Sequence, residues 1–344
     1  MLVIKEWDML RVVACLSILL LHVSSWIIST VGNEPEQELY MFLRIALCFA
    51  TPSFIVLSIL ILANRYREQV PSGFWSSRLQ FIFIPFLVWA FVDALIVEVI
   101  YRNELLVEKY IENILFGGFT GWFVVVIMQL YAIFALMKRF KWSPAWFLPM
   151  CVLVSLIHHS VILLPYPFFE DNLHIMRLLF TGWLGYFALA YLIGMYYSQI
   201  AILAKRYRLA TIFLVLLSGV FLYIRMQLGY TEVHSRRLDL VPLVASVVLF
   251  VIAWGQSIPY VAPIRIISKY AFMIYLIHWE VLRFSTGWFV ENFDNTLVRV
   301  PLLVLWTLFV CITLTKLISL LPFSKWIVGK IKRMNRKTKA AISD

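Results

Sequence analysis

Four of the titratable side chains inside long apolar segments of the sequence lie at a similar depth: His22, Asp93, His278 and Glu280. An ionisable group in the hydrocarbon core of a membrane costs about 3 kcal/mol or more unless it is paired or faces water, so these residues are the first candidates for function. At a rise of about 1.5 Å per residue, all four lie roughly 15 to 21 Å from the basic ends of their predicted helices. We therefore expect them to share one polar layer inside a bundle.

His22 is the predicted general base of this layer. An imidazole that a carboxylate orients is a common arrangement for accepting a proton near neutral pH. Asp93 and Glu280 are alternative candidates for the orienting carboxylate, and His278 is a candidate donor to a developing oxyanion. The competing explanation for His22 is a hydrogen bond that only joins two helices.

Arg11 and His22 are spaced for one helix face. Eleven residues make close to three helical turns, so the two side chains are expected on the same face, about 16 Å apart. A cation at the helix end below an imidazole suits a long donor molecule whose charged end stays in water while its reactive end reaches His22. Arg78, at the start of another apolar segment, is a second candidate for binding phosphate. Each arginine has the simpler explanation of a basic side chain that extends to the membrane surface.

The composition places these residues in a membrane protein. Of the 344 residues, 62% are hydrophobic and 14% are charged, whereas about 45–50% of residues are apolar in ordinary soluble domains. The apolar residues form blocks of about 20, which is the length of a helix that crosses hydrocarbon. These features exclude a disordered chain, a disulfide-stapled secreted scaffold and a nucleic-acid binder, despite the net charge of +11.

The elements that position the polar layer are predicted to be ten transmembrane helices. Backbone groups in lipid must form their hydrogen bonds within each segment, which favours helices. The predicted fold class is therefore all-α, a polytopic helical bundle. The predicted spans are 9–30, 40–63, 79–101, 121–137, 145–164, 178–198, 209–225, 240–258, 268–285 and 298–321.

Loop charges predict the orientation of the bundle. Alternate connections carry clusters of lysine and arginine, and the remaining connections are mostly acidic. The positive-inside rule places the basic connections and both termini in the cytoplasm of a multi-pass protein of the cell membrane. We divide the chain into a membrane domain, 1–325, and a basic cytoplasmic tail, 326–344, that rests on anionic lipid headgroups.

The sequence indicates neither a metal site nor a nucleotide site. Its four cysteines are widely separated within apolar segments, at Cys15, Cys48, Cys151 and Cys311, and no spacing suggests metal ligands or a redox pair. It contains neither a phosphate-binding loop nor a dinucleotide fingerprint. We expect no metal and no resident cofactor.

Four segments resemble the membrane-bound acyltransferase family 3. Span 1 places Arg11 between Asp8 and His22, similar to the family's Asp-x-x-Arg-x-x-Ala…His opening. Segment 268–278 resembles the family's Ser…Ile-Tyr-Leu-x-His pattern. Segments 51–58 and 78–85 are similar to its Leu-Ser stretch and its arginine-rich stretch before a proline, and 121–123 to the Trp-Phe opening of another span.

Two positions depart from the family pattern. Ile59 replaces the usual glycine of span 2, and Phe81 stands where a second arginine is often found. Together with Thr51-Pro52, these departures are similar to the intercellular-adhesin subgroup, which is associated with biofilm polysaccharide. The Phe81 change weakens the expectation of donor binding by two arginines from that stretch.

The resemblance implies an O-acyltransferase that moves an acetyl or succinyl group from cytoplasmic acyl-CoA, its co-substrate, to a hydroxyl of a surface polysaccharide or lipid-linked glycan. It implies that Arg11 and Arg78 bind donor phosphates. Direct transfer and a covalent acyl-histidine step both remain open. Trp122 and Tyr275 are expected to contact the acceptor, with an interfacial anchor and a helix bridge as their respective alternatives.

The expected partners are acyl-CoA, the glycan, membrane lipids and a polysaccharide synthase. The alternative function is export of polysaccharide through the same polar layer. The small number of glycines and the lack of paired broken helices favour the enzyme over the exporter.

Overall fold

The computed structural model describes residues 4–32, 38–101, 105–162, 164, 168–169 and 172–331. Every regular element within these ranges is a helix. This confirms the predicted all-α membrane fold, in which each apolar segment satisfies its own backbone groups. The acidic loop residues Glu34, Glu36, Glu104, Glu170 and Asp171, and positions 332–344 of the predicted tail, lie outside the described residues.

Eight α-helices lie within the described residues up to position 162. Short π-helical turns at Leu79–Phe83 and Glu112–Phe116 follow the fourth and sixth of them, and a 3-10 turn at Thr120–Trp122 precedes the seventh. The helices are α1 Lys5–Val31, α2 Glu38–Leu47, α3 Ala50–Arg65, α4 Phe74–Arg78, α5 Ile84–Tyr101, α6 Leu106–Ile111, α7 Phe123–Arg139 and α8 Pro144–Ile162.

Eight more α-helices have their bounds within residues 172–331, with 3-10 turns at Phe180–Trp183 and Leu238–Leu240. These helices are α9 Leu173–Met176, α10 Leu184–Met195, α11 Tyr197–Arg206, α12 Arg208–Gln227, α13 Val241–Gly255, α14 Ala262–Asn292, α15 Thr296–Ile318 and α16 Ser324–Val328.

The described residues include eight helical spans that are long and apolar enough to cross a membrane, and a ninth if the bent pair α10–α11 counts as one span. Helix α14 is not among them, although its 31 residues reach about 46 Å at 1.5 Å per residue. Its mean hydropathy is lowered by polar side chains that include His278, Glu280 and Arg283. Each of the ten predicted spans falls on one of these helical regions.

The sixth predicted span, 178–198, differs from the expected single helix. The structure breaks it at Tyr196, and α11 turns 86° away from the preceding helical segment. Helix α11 buries Tyr197 and Ala204 and exposes Lys205 and Arg206. One apolar and one basic face are typical of a helix that lies along a membrane surface.

Packing of α1 against α14 brings the polar residues of distant segments together. Helix α1 also contacts α3 and α13, so it occupies the middle of the bundle. Helices α3 and α10 approach closely at Gly194, where a Cβ atom would lie 2.5 Å from the carbonyl oxygen of Leu60. Only glycine allows that separation of the two backbones.

The end of the bundle that holds Arg11, Arg78 and Lys138 is called the basic face below, and the other end the opposite face. Residues 326–331 return to the basic face, where Val328 is buried and the indole of Trp89 donates to the carbonyl of Ile327 at 3.2 Å. The cytoplasmic location of this face and the domain division at 325 remain predictions.

Candidate active site

His22 and His278 form the centre of the candidate site. Nδ1 of His22 lies 2.6 Å from Nε2 of His278, and the two ring planes are 9° apart. Trp279 packs edge-on against His22, with 5.3 Å between the ring centroids. The packing of α1 on α14 therefore joins two histidines that are 256 residues apart in sequence.

The hydrogen bonds determine which nitrogen of His22 is available for chemistry. Nδ1 of His278 lies 2.9 Å from the carbonyl oxygen of Ile274, which can only accept, so this nitrogen carries a proton. In the neutral pair, Nε2 of His278 then accepts from Nδ1 of His22. Nε2 of His22 keeps its lone pair and has no hydrogen-bond partner among the described residues, so it is free to accept a proton.

The two carboxylates of the polar layer do not orient His22, contrary to the sequence-based expectation. Asp93 accepts from Arg283 at 2.9 Å and from Asn113 at 2.8 Å. Glu280 lies 3.2 Å from the same guanidinium. Two residues turn a helix by about 200°, so Glu280 leaves α14 on the side away from His278.

His278 therefore takes the orienting role that the sequence assigned to Asp93 or Glu280. Both of its ring nitrogens are already engaged, by His22 and by the Ile274 carbonyl. This arrangement differs from the expectation that His278 donates to an oxyanion, since no free donor remains on the neutral ring.

Arg283 is a buried residue that the sequence analysis did not single out. Its side chain is 10% exposed and bridges Asp93, which is 3% exposed, to Glu280, which is 7% exposed. Arg283 lies inside span 268–285, whereas the other lysine or arginine of the span, Lys269, is at its edge. That position was the available signal, because a charge inside an apolar span requires a partner. Asp93, Glu280 and Arg283 thus form an ion cluster beside the histidine pair, separate from it.

A cavity of about 390 Å³ extends from the basic face into the bundle. Its cationic lining residues are Arg11, Arg78, Lys269 and Lys330, and most of its other walls are apolar or aromatic. The guanidinium of Arg78 lies 4.0 Å over the ring of Phe74, and no carboxylate pairs with Arg78 in the part of the chain that the structure describes. Its charge is available to an anionic ligand.

Arg11 is held in place at this cavity by a polar cluster. It donates to Asp8 at 2.6 Å and to Ser268 at 2.8 Å, and Ser268 donates to Asp8 at 2.7 Å. The hydroxyl of Tyr260 also donates to Asp8. Burial and this hydrogen bond raise the pKa of Tyr260, so its proton stays on the oxygen. The cluster fixes the α1–α14 contact at the basic face.

Lys330 reaches the cavity from the end of the described chain, a contribution that the sequence analysis did not single out. Its ammonium lies 5.7 Å from the ring centroid of Phe81, the position where the resemblance leads one to expect a second arginine. Gly329 has φ of 68°, and a Cβ there would lie 2.5 Å from the Phe81 carbonyl oxygen. The glycine permits this close approach. The tail cations had been assigned only to lipid headgroups.

A second cavity, of about 300 Å³, lies toward the opposite face and contains His22 in its wall. Trp122 and Trp279 also line it, together with three arginines, Arg44, Arg177 and Arg236. Acidic side chains are absent from its described lining. The guanidinium of Arg177 lies 5.4 Å from the ring centroid of Trp122, so Trp122 faces this cavity rather than serving only as a lipid-facing anchor.

Tyr275 and Phe123 line both cavities and form the wall between them. The Tyr275 hydroxyl donates to the carbonyl of Thr120 at 2.7 Å and accepts from the backbone N–H of Phe123 at 3.2 Å. Tyr275 is therefore the helix bridge that was its alternative assignment, and its ring is also part of the cavity wall. The basic cavity and the histidine cavity meet at this tyrosine.

Comparison with known proteins adds a family to this geometry. The profile of the family described as "Acyltransferase domain" matches residues 4–316. A Bacillus subtilis (strain 168) protein, YfiQ, which carries the name of a membrane-bound acyltransferase, is 31% identical over 289 residues, or 80% of each chain. The residues matched by the family profile include α1 and α14, which carry the histidine pair.

Two further relatives are named as poly-beta-1,6-N-acetyl-D-glucosamine export proteins. The Staphylococcus aureus (strain MRSA252) protein is 25% identical over 93% of this chain and 94% of its own. The Staphylococcus epidermidis protein is 26% identical over 93% of each chain. These relatives confirm the resemblance to the intercellular-adhesin subgroup, and no solved structure matches the chain significantly. With the family profile covering almost its whole length, the chain belongs to the membrane-bound acyltransferase family 3.

Proposed function

We propose that the protein is an O-acyltransferase of the cell membrane that transfers an acyl group from acyl-CoA to a hydroxyl of a surface polysaccharide or lipid-linked glycan. The observation that carries this proposal is the position of the histidine pair: His22 lines the opposite-face cavity, and the ring of His278 lies 6.2 Å from that of Tyr275, the residue at which the two cavities meet. His22 offers an unprotonated Nε2, and His278 holds its other nitrogen. Both termini and the basic face are proposed to be cytoplasmic.

The donor is proposed to enter at the basic face. Arg78 and Lys330 present charges without an ion pair in the described chain, and Arg11 is fixed beside them. Guanidinium and ammonium groups bind phosphates, so they suit the phosphorylated end of CoA. The largely apolar walls of the 390 Å³ cavity suit the pantetheine arm, and its thioester would reach the Tyr275 wall.

The acceptor is proposed to bind in the cavity of the opposite face. A hydroxyl there gives its proton to Nε2 of His22 as its oxygen forms a bond to the thioester carbonyl carbon. The carbon–sulfur bond then breaks, and His22 returns the proton to the departing CoA thiolate. While His22 is protonated, Nε2 of His278 accepts from Nδ1 of the imidazolium and stabilises the charge.

Purified protein in nanodiscs tests this proposal directly. Labelled acetyl-CoA and a poly-N-acetylglucosamine oligomer are supplied, and acylated product is measured for the wild type, His22→Ala and His158→Ala. His158 is a suitable control because it belongs to another cavity, where its Nδ1 lies 2.9 Å from the Thr181 hydroxyl. We expect loss of transfer only in His22→Ala, and equal rates in all three proteins would reject a base role for His22.

Polysaccharide export is the second candidate because the staphylococcal relatives are named as export proteins. Export would require the wall of Tyr275 and Phe123 to open wide enough for a sugar chain, whereas acyl transfer requires only that the thioester pass it. The two functions can be separated with inside-out vesicles that contain the protein in their membrane and are supplied with labelled oligomer. Uptake of the oligomer by the wild type without any acylation would favour export and remove the enzyme.

A further inference from the structure

We propose that the opposite-face cavity binds an anionic group, a carboxylate or a phosphate, that belongs to the acceptor glycan and is held by Arg177 and Arg236 beside His22. This inference rests on the proposed function, since it names the class of acceptor for the same site. The wall of this cavity carries an unusual charge. Three arginines line about 300 Å³ of space, and no carboxylate does so among the lining residues described.

The guanidinium groups of Arg177 and Arg236 donate hydrogen bonds to backbone carbonyls. One guanidinium nitrogen of Arg177 donates to the carbonyl of Gly117 at 2.5 Å, and one of Arg236 donates to the carbonyl of Leu173 at 3.1 Å. Neither makes an ion pair with any described carboxylate. A neutral carbonyl leaves the positive charge uncompensated, so the site attracts an anion.

A neighbouring arginine shows the arrangement that this protein uses for a structural charge. Arg237 donates two hydrogen bonds to Asp239, at 2.9 and 2.7 Å, and is 8% exposed. Its charge is therefore neutralised within the fold. Arg236, the residue immediately before it, lines the cavity without such a partner among the described residues, so the difference is specific to the cavity-lining side chain.

Arg177 and Arg236 are both partly buried, and the charge of Arg177 acts on Arg236. Burial, followed by the nearby charge of Arg177, lowers the pKa of Arg236, and burial lowers the pKa of Arg177. The carboxylates whose charges act on the two arginines are those of Glu112 and Glu232. Glu112 accepts from Lys109 at 2.7 Å, Glu232 contacts His234 at 3.2 Å, and neither lines the cavity. A bound anion would relieve the repulsion.

The loop that carries Arg177 is preorganised for binding. The indole of Trp183 donates to the Arg177 carbonyl at 3.0 Å, and the amide of Gln129 donates to the Leu178 carbonyl at 2.8 Å. The Arg177 guanidinium lies over Trp122, and its buried Nε has no hydrogen-bond partner in the described chain. A fixed guanidinium with an unused donor loses little entropy when it captures an oxyanion.

The proposed anion site and His22 belong to the same cavity. His22 lines the same cavity as the arginines, so a bound anionic substituent would position a neighbouring hydroxyl of the same glycan for proton transfer. The acceptor expected from this geometry is an acidic glycan or a glycan attached to a lipid phosphate.

Binding to the purified protein is the first test. Calorimetry in detergent compares N-acetylglucosamine 1-phosphate, inorganic phosphate and neutral N-acetylglucosamine on the wild type, Arg177→Gln and Arg206→Gln. Arg206 is the control because it is an exposed arginine of α11 outside both cavities. We expect the sugar phosphate to bind at least tenfold more tightly than the neutral sugar, and Arg177→Gln to remove this preference. Equal affinities for the two sugars in the wild type would overturn the proposal.

A transfer assay distinguishes the acceptor from the acyl group as the source of the anion. Succinyl-CoA and acetyl-CoA are compared with an acidic and a neutral oligomer on the wild type and Arg177→Gln. A loss of at least tenfold in kcat/KM for the acidic oligomer, with either donor, supports the acceptor site. A loss restricted to succinyl-CoA would assign the arginines to the acyl carboxylate and overturn it. Arginine-dependent sugar phosphate binding without any transfer would instead reject the proposed enzyme and leave the anion site standing.

Discussion

The histidine pair makes a quantitative prediction for the variant His278→Ala. Removing His278 deletes the acceptor that lies 2.6 Å from Nδ1 of His22. The bond matters most when His22 carries the proton, because a hydrogen bond to a charged group contributes about 1.5–3 kcal/mol. At about 1.4 kcal/mol per factor of ten, kcat is expected to fall roughly 10- to 150-fold. KM for acyl-CoA should change little, since His278 does not line the donor cavity.

The variant His278→Gln sharpens this test. A glutamine carbonyl can accept from Nδ1 of His22, so part of the lost activity should return. Initial rates of labelled acyl transfer are measured over a range of acyl-CoA concentrations and pH values, with His158→Ala as the matched control in another cavity. An unchanged kcat in His278→Ala would refute the positioning role. So would a fall in kcat that is accompanied by a raised KM in His278→Ala and is not rescued by His278→Gln.

Three other variants test the surrounding structure. Arg283→Met leaves Asp93 and Glu280 buried without their cation and should destabilise the protein by about 3–5 kcal/mol; thermal unfolding in detergent measures this, and an unchanged midpoint would contradict it. Lys330→Gln should raise KM for acyl-CoA severalfold with kcat unchanged; the same substitution at exposed Lys205 is the control, and equal KM values would remove Lys330 from the donor site. Gly117→Ala forces alanine into φ of 72°, which costs about 1–2 kcal/mol, and places its Cβ 3.2 Å from the Arg177 guanidinium. We expect this variant to bind the sugar phosphate more weakly. Wild-type affinity would contradict the placement of Arg177.

Much of the fold was predictable because membrane insertion depends on local sequence. A block of about 20 apolar residues must form a helix in lipid, whatever its neighbours are. The bend at Tyr196 was not predictable in this way, since the apolar segment 178–198 continues through it. The amphipathic character of α11 appears only when Tyr197 to Arg206 is considered as a separate helix.

The candidate site was predictable in its residue types but not in its pairings. Depth along each helix placed His22, Asp93, His278 and Glu280 in one layer, and a depth argument contains no information about rotation between helices. Rotation of α14 directs His278 toward His22 and Glu280 toward Arg283. The expectation of a carboxylate partner for His22 was wrong for this reason.

The sequence by itself determined that this chain is a helical membrane protein of the acyltransferase family with a histidine and an arginine on α1. Only the tertiary structure decided that a second histidine orients the first, that the two carboxylates belong to Arg283, and that Arg177 and Arg236 face His22 across one cavity. Residues such as Arg177 and Arg236 come from loops, where no periodic pattern fixes direction. Their meeting depends on how many helices pack at once, and that information is not local to any segment of the sequence.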